Sequence, residues 1–246
     1  MSGHSKWSTI KYKKGAKDLA RGKLFAKLAR AIEVAAREGG GDPIANAALG
    51  QAIDKAKAAS MPNDNIDRAV KRGTGDVEGA VYEEYWYEGY APGGVALYVQ
   101  ILTDNRNRAA SEVRSTFSRN EGNLGEPGSV GYLFALKAYL LVAGAEDDVM
   151  MAALEAGAED VQPSGDLWEV TGVPGDLSAI RRALEAAGLE IETAEVTQMP
   201  SMTIPVAEDQ ARRVLRIVDA LEDLDDVQAV FANFDISDEV LASLAG

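Results

Sequence analysis

No cysteine occurs in the chain, and histidine occurs once, at position 4. The first absence excludes disulfides, thiolate metal sites and cysteine nucleophiles, and it fits a reducing compartment, so the cytoplasm is the expected location. The second removes Ser-His-Asp hydrolysis, imidazole general-base catalysis and zinc held by several histidines. His4 itself stands in a stretch with no apolar period to fix catalytic geometry. No run approaches the roughly 18 consecutive apolar residues of a membrane-spanning helix. The basic start is followed by no apolar stretch of the kind a secretory signal needs, and none is expected. Nucleotide-binding signatures are missing too: Gly39-Gly40-Gly41 and Gly93-Gly94 lack a following Gly-Lys-Ser/Thr, and no G-x-G-x-x-G follows an expected strand. We therefore expect no catalytic residue, metal, cofactor or membrane partner.

What is present is charge of one sign gathered at one end. The first thirty residues hold Lys6, Lys11, Lys13, Lys14, Lys17, Arg21, Lys23, Lys27 and Arg30 against the single acid Asp18. That segment carries +8 within a chain of net charge −14, so residues 31–246 carry −22. A polyanion would be drawn to this end and repelled by the rest. Trp7 and Tyr12 are interleaved with the lysines, supplying rings that stack on unpaired bases, whereas a merely solubilising tail has no use for them. Screening acts over about 8 Å at physiological salt, while a compact chain of this size has a radius of gyration of roughly 18 Å. The acidic body would thus repel a long duplex wrapped around it. A structured RNA, or one face of a ribonucleoprotein, suits this polarity better.

Forty-six per cent of the 246 residues are apolar, enough for two or three compact units. Residues 1–17 read as a basic arm. Over 18–38 the period is helical, with Leu24, Phe25, Leu28, Ile32 and Ala35 on one face and Lys23, Lys27 and Arg30 on the other. Gly39-Gly40-Gly41 ends that helix, and Asp42-Pro43 is expected to start a second, running to about residue 59 with Ala48, Leu49, Ala52 and Ala56 inward. The segment 61–65 breaks the pattern and caps a third helix over 66–72. Residues 73–79 read as a linker.

Beyond it the period becomes two, predicting strands over 81–90 and 95–102 around Ala91-Pro92-Gly93-Gly94. A helix follows over 106–119, then a glycine-rich turn and a strand over 130–134. The order strand 139–142, helix 148–156, strands 160–163 and 167–171, helix 177–187, strand 190–197 is βαββαβ, the ferredoxin-like arrangement. The remaining strand 203–206, helix 209–221 and strand 227–234 are too little for a domain and would complete the sheet begun earlier. The predicted class is α+β: a helical N-terminal domain with its arm (1–75), a discontinuous α/β middle domain (80–135 and 202–246) and an inserted ferredoxin-like domain (136–200).

Two further places are candidate contacts. Asn105, Arg106 and Arg108 lie at a strand-to-helix junction, where amides, guanidinium groups and a helix N-terminus make a phosphate or base-edge site; a capped helix start with solvated arginines accounts for them equally well. Met61, Asn63 and Asn65 form a polar loop that serves as a cap or as a contact. The clusters Glu146-Asp147-Asp148 and Glu222-Asp223-Leu224-Asp225-Asp226 keep a carboxylate-metal nuclease as a remote alternative, although surface acids are routine at helix ends.

Together these residues resemble the YebC/PmpR family, which includes the mitochondrial translational activator of cytochrome c oxidase. The resemblance rests on Gly3-His4-Ser5-Lys6-Trp7, Arg21-Gly22-Lys23, Gly39-Gly40-Gly41-Asp42-Pro43, Asn46, Met61-Pro62 with Asp64-Asn65-Ile66, and Arg72-Gly73. It continues in Glu88-Gly89-Tyr90-Ala91-Pro92-Gly93-Gly94, Asp104-Asn105-Arg106-Asn107-Arg108 and Gly128-Ser129-Val130. Two positions depart from the family pattern: Tyr12, where histidine is common, and Glu121, where a glycine commonly precedes Gly-Asn-Leu-Gly. The resemblance implies three domains with a discontinuous middle one, no known catalytic activity, and a regulator of gene expression. Family members include DNA-binding transcriptional regulators and factors acting on translation at the ribosome, some easing synthesis through proline-rich stretches. The expected partner is nucleic acid, as ribosomal RNA or the ribosome on the charge argument and as promoter DNA in the alternative. Oligomeric state is not legible.

Overall fold

The structure, a computed structural model, describes residues 18–237 and residue 240. It opens with three helices, α1 (Asp18–Gly39), α2 (Ala47–Ala58) and α3 (Asn63–Thr74). Ile32, Ala36, Leu49, Ala56, Met61, Ile66 and Ala69 form their buried core, with Phe25 and Leu28 packed against it. The second helix begins later than Asp42-Pro43 suggests, because Asn46 is the better cap. Its side-chain oxygen accepts from Leu49 N at 3.1 Å, and its amide donates to Ala35 O and Gly40 O, closing the carbonyl end of α1. Asp42 instead accepts from Ile44 N in the connection. Starting at Ala47 turns Ala48 to solvent, against the expected inward face.

Gly73 is not linker. It lies buried within α3, where α3 crosses α1 so closely that a β-carbon there would sit 2.5 Å from Glu33 O. Beside it, Arg72 pairs with the buried Glu33 carboxylate.

The middle elements are β1 (Glu83–Tyr90), β2 (Ala96–Thr103), α4 (Arg106–Arg119) and β3 (Asn123–Leu124). They are followed by β4 (Phe134–Ala143), α5 (Glu146–Glu155), β5 (Asp160–Ser164), β6 (Leu167–Gly172), α6 (Leu177–Ala186) and β7 (Glu190–Pro200). The chain closes with β8 (Ile204–Pro205), α7 (Glu208–Glu222), β9 (Val227–Ala232) and β10 (Phe234–Asp235). The fold class is α+β. One antiparallel sheet has the order β3-β1-β2-β9, so a strand from the end of the chain is hydrogen-bonded to one from its first half. Its inner face packs Leu97, Val99, Ile101 and Val230 against Val113 and Phe117 of α4 and Val214, Ile217, Val218 and Leu221 of α7. On its outer face Trp86 stacks on Tyr98 with ring centres 4.2 Å apart, and Phe134 stacks on the other side.

A second sheet, β5-β6-β4-β7, is wholly antiparallel and covered on one face by α5 and α6, with Leu140, Val142, Val149, Ile180 and Leu184 at its centre. This is the βαββαβ order read from the sequence. β4 and β7 pair from Phe134↔Pro200 onward, and Ser201 N donates to Leu133 O, so the chain enters and leaves this unit at one point.

Two expected strands change form. Over 130–134 the backbone makes a 3-10 turn at Gly131–Leu133, because the buried Glu88 carboxylate draws in the N–H groups of Gly128, Val130 and Gly131 at 2.6–2.7 Å. The final strand breaks at Asn233, whose side-chain oxygen accepts from Ala96 N; beyond it β10 pairs with β8 in parallel.

Both special contacts generate predictions. Gly73→Ala gains helix propensity but drives a methyl into the α1 backbone, so it should lower stability by about 1–3 kcal/mol, read as a reduced denaturation midpoint at unchanged slope. Burial pushes the Glu88 carboxyl up, and its three backbone donors outweigh that, holding it below the ordinary carboxylate value. A folded value below the unfolded one means that this contribution is present above the ordinary carboxylate pKa and is lost as pH falls beneath it. Glu88→Gln should cost about 1–3 kcal/mol at neutral pH and flatten the acid side of the stability curve; an unchanged acid limb would contradict this.

Candidate nucleic-acid interface

Lys6, Trp7, Lys11, Tyr12, Lys13, Lys14 and Lys17 lie outside the described residues. The rest of the basic segment is α1, where spacings of four and three place Lys23, Lys27 and Arg30 on one face, away from the helical core. The structure sets that face against the C-terminal end of α7. Such an end has carbonyls with no intrahelical partner and the negative pole of the helix dipole. Lys23 Nζ donates to Asp223 O at 3.2 Å, Lys27 Nζ to Glu222 O, and Arg30 to Asp225 O. Carboxylates reinforce the carbonyls: Lys23 lies 3.9 Å from Asp225 and Arg30 lies 3.2 Å from Asp226. The outer pair is open to solvent, with Lys23 and Asp225 side chains 51% and 70% exposed; the inner pair is not, at 16% for Arg30 and 4% for Asp226. Arg21, two residues before Lys23, is exposed with its guanidinium over the Phe25 ring.

Asp226 is the junction of three elements. One carboxylate oxygen faces Arg30 of α1; the other accepts from Thr103 Oγ1 at the end of β2 and from Arg108 of α4, both at 2.8 Å. Its backbone carbonyl accepts from Leu102 N. Arg108 also bridges to Asp104 at 2.7 Å. Asp226 and then Asp104 raise the Arg108 pKa still further above its ordinary value, and the Arg108 hydrogen bond holds the Asp104 carboxyl below its own.

The second candidate patch therefore divides. Asn105 caps α4, accepting from Arg108 N at 3.1 Å, and Arg108 is committed to the two aspartates. Asn105, Arg106 and Arg108 are all exposed, and Arg106 carries its guanidinium 5.0 Å from the centre of the Tyr85 ring. In the helical connection Met61 is 6% exposed and belongs to the core, which corrects its reading as a loop contact: its apolar side chain is more stable buried beside Ile66 and Leu49. Asn63 is exposed and Asn65 half-buried, both in the first turn of α3.

Sequence reasoning missed Asp226 and Glu88. The acid run 222–226 was conspicuous, but nothing in it distinguished a solvated helix end from a partner for α1. Among the described residues, no group of three or more His, Asp or Glu is placed to hold a metal ion.

Comparison with known proteins decides the family. Residues 5–76 match the profile described as the TACO1/YebC protein N-terminal domain, and residues 82–234 match the TACO1/YebC second and third domain. The chain belongs to the TACO1/YebC family. It is 60% identical over 250 residues to a probable transcriptional regulatory protein of Rubrobacter xylanophilus, covering 100% of both chains. It is 56% identical over 248 residues to a protein of the same description from Mycobacterium tuberculosis, covering 99% of each. Among solved structures it is similar to a conserved hypothetical protein from Aquifex aeolicus, with a TM-score of 0.80 and 48% identity over 91% of this chain and 94% of that one.

Within the TACO1/YebC pattern, Glu121 now has a physical context. Its φ of 60° is left-handed, the conformation glycine adopts without strain, and its carboxylate reaches Arg213 at 3.3 Å. Further along, the backbone donors of Gly128, Val130 and Gly131 are filled by Glu88 and are not open to an outside anion.

Docking on α7 also marks Lys27. Burial lowers its pKa from 10.5 to about 8, a shift that the neighbouring Glu222, Asp223 and Asp225 only partly offset. An undocked Lys27 stays charged up to its ordinary value, so the docked form gains stability as pH rises from about 8 towards 10.5. NMR titration of the lysine side chains should show one, removed by Lys27→Arg, with a midpoint near 8. A Lys27 midpoint at the ordinary value would contradict the packing.

Proposed function

We propose that this TACO1/YebC chain is a non-enzymatic, nucleic-acid-binding regulator of gene expression that acts in the cytoplasm on structured RNA or the ribosome, as a translation factor. The observation that carries the reading is the segregation of charge, +8 in the first thirty residues against −22 in the remainder. Lys6, Lys11, Lys13, Lys14, Lys17, Arg21, Lys23 and Lys27 neutralise phosphates, with Arg30 behind them, and Trp7 and Tyr12 stack on exposed bases. Arg106 at the mouth of α4, with Asn105 and Arg108 behind it, is a second and weaker contact, and Asn63 and Asn65 border the helical unit. The chain works as three units, residues 1–75, 80–135 with 202–246, and 136–200, the acidic units steering a polyanion towards the basic one. In this reading easing of synthesis through proline-rich stretches falls within the activity.

A second reading has its own support: the relatives bear the description probable transcriptional regulatory protein, which favours promoter DNA as the target. The acidic body argues against extended duplex.

Sedimentation separates the two. The full chain should pellet with ribosomes at about 150 mM salt, and a chain lacking residues 1–17 should stay in the supernatant. With about six phosphates engaged, affinity should fall on the order of 10³-fold between roughly 50 and 200 mM salt. Preference for promoter duplex over ribosomes under the same conditions would overturn the translation reading, and binding indifferent to the loss of residues 1–17 would overturn the assignment of the arm.

A further inference from the structure

The cations of α1 are already occupied. Lys23, Lys27 and Arg30 each donate to a backbone carbonyl between Glu222 and Asp225, and two of them face carboxylates as well. A carbonyl at a helix C-terminus and an aspartate oxygen offer an ammonium or guanidinium group what a phosphate oxygen offers: a negative acceptor on an exposed edge. A sugar-phosphate strand and the end of α7 therefore compete for the same donors.

We propose that the C-terminal turn of α7 is an internal competitor, which covers the cationic face of α1 and lowers the affinity of the chain for nucleic acid until a polyanion displaces it. The inference rests on the reading of α1 as a phosphate-binding face.

The contact is built to release. The two sides belong to separate apolar cores: the core around α1 draws on residues 25–70 and the core around α7 on residues 87–240, with no member in common among the described residues. Parting them here exposes charged and polar groups, which water accepts, and polar contacts between units of one chain permit relative motion. The outer ion pair, Lys23 with Asp225, is half or more exposed, so salt and competing anions reach it first. The inner pair is sheltered, and Asp226 keeps Arg108 and Thr103 as partners when Arg30 leaves. The competitor end is thus held in place by the sheet, while its hold on α1 is graded from weak at the rim to strong within.

The test compares binding of a fluorescent RNA hairpin by the full chain and by Asp223→Asn/Asp225→Asn, which removes two exposed carboxylates of the competitor and leaves Asp226 and every cation in place. A chain with Glu146→Gln/Asp147→Asn on α5 carries the same charge change away from the contact. The competitor variant should bind about fivefold more tightly than the full chain, through a larger open fraction, and the α5 variant by much less. Asp225→Asn alone should give part of the gain, so the comparison does not depend on the double variant. Equal affinities for the two double variants would overturn the competitor while leaving the phosphate face intact. Loss of binding in Lys23→Glu/Lys27→Glu supports that face independently. If this variant binds as the full chain does, the reading of α1 fails and the competitor with it.

Discussion

A single buried carboxylate, Asp226, ties together α1, the end of β2 and the start of α4. Burying an ion is costly unless good partners surround it, and Asp226 has an arginine from each of two helices and a threonine hydroxyl from the end of β2. Without it, Arg108 would keep Asp104 as its one carboxylate partner among the described residues, and Arg30 would lose its sheltered partner. Removing one member of such a set commonly costs about 3–5 kcal/mol. The position of α1 over the sheet follows from this junction as much as from the helical core, since among the described residues the hydrogen bonds and ion pairs from α1 to the end of α7 come from its cations.

The same chemistry recurs at the turn after β3. Three backbone N–H groups converge on one point, as in sites that bind phosphate, and the chain fills them with its own Glu88. At the end of α7 the roles are reversed, and unpaired carbonyls receive the chain's own cations. In both places groups suited to an outside ion are satisfied from within, as burial requires of polar atoms. The difference is exposure. Glu88 is enclosed and fixes the path of the chain from 128 to 131, whereas the rim of the α1–α7 contact is open to water and to competing anions.

Much of the fold was legible because period and punctuation agree along the chain. Arg106–Arg119 was predicted to its ends, since Asp104 and Asn105 both offer a cap at the strand-to-helix junction, and the structure uses Asn105. The βαββαβ order was readable from alternating strands and amphipathic helices. Errors arose where a side chain distant in sequence overrides local pattern: Asn46 outcompetes Asp42-Pro43 by reaching Ala35, Glu88 converts an apparent strand at 130–134 into a turn, and Gly73 is helical because α1 crosses there. Of the candidate interface, the cationic face of α1 was evident from spacing alone. Its occupant was not, because Lys27 and Glu222 are separated by 195 positions and no periodicity relates them.

In the function proposed here, activity turns on how one cationic helix divides its donors between the chain's own acids and a nucleic acid. On that proposal the acidic body would limit which polyanions approach, and the end of α7 would set how readily the helix accepts one. Hydrogen exchange of the backbone from 222 to 227, measured with and without a saturating RNA hairpin, tests this division most directly. Displacement predicts faster exchange there when RNA is bound; unchanged or slower exchange, with RNA demonstrably bound, would contradict it.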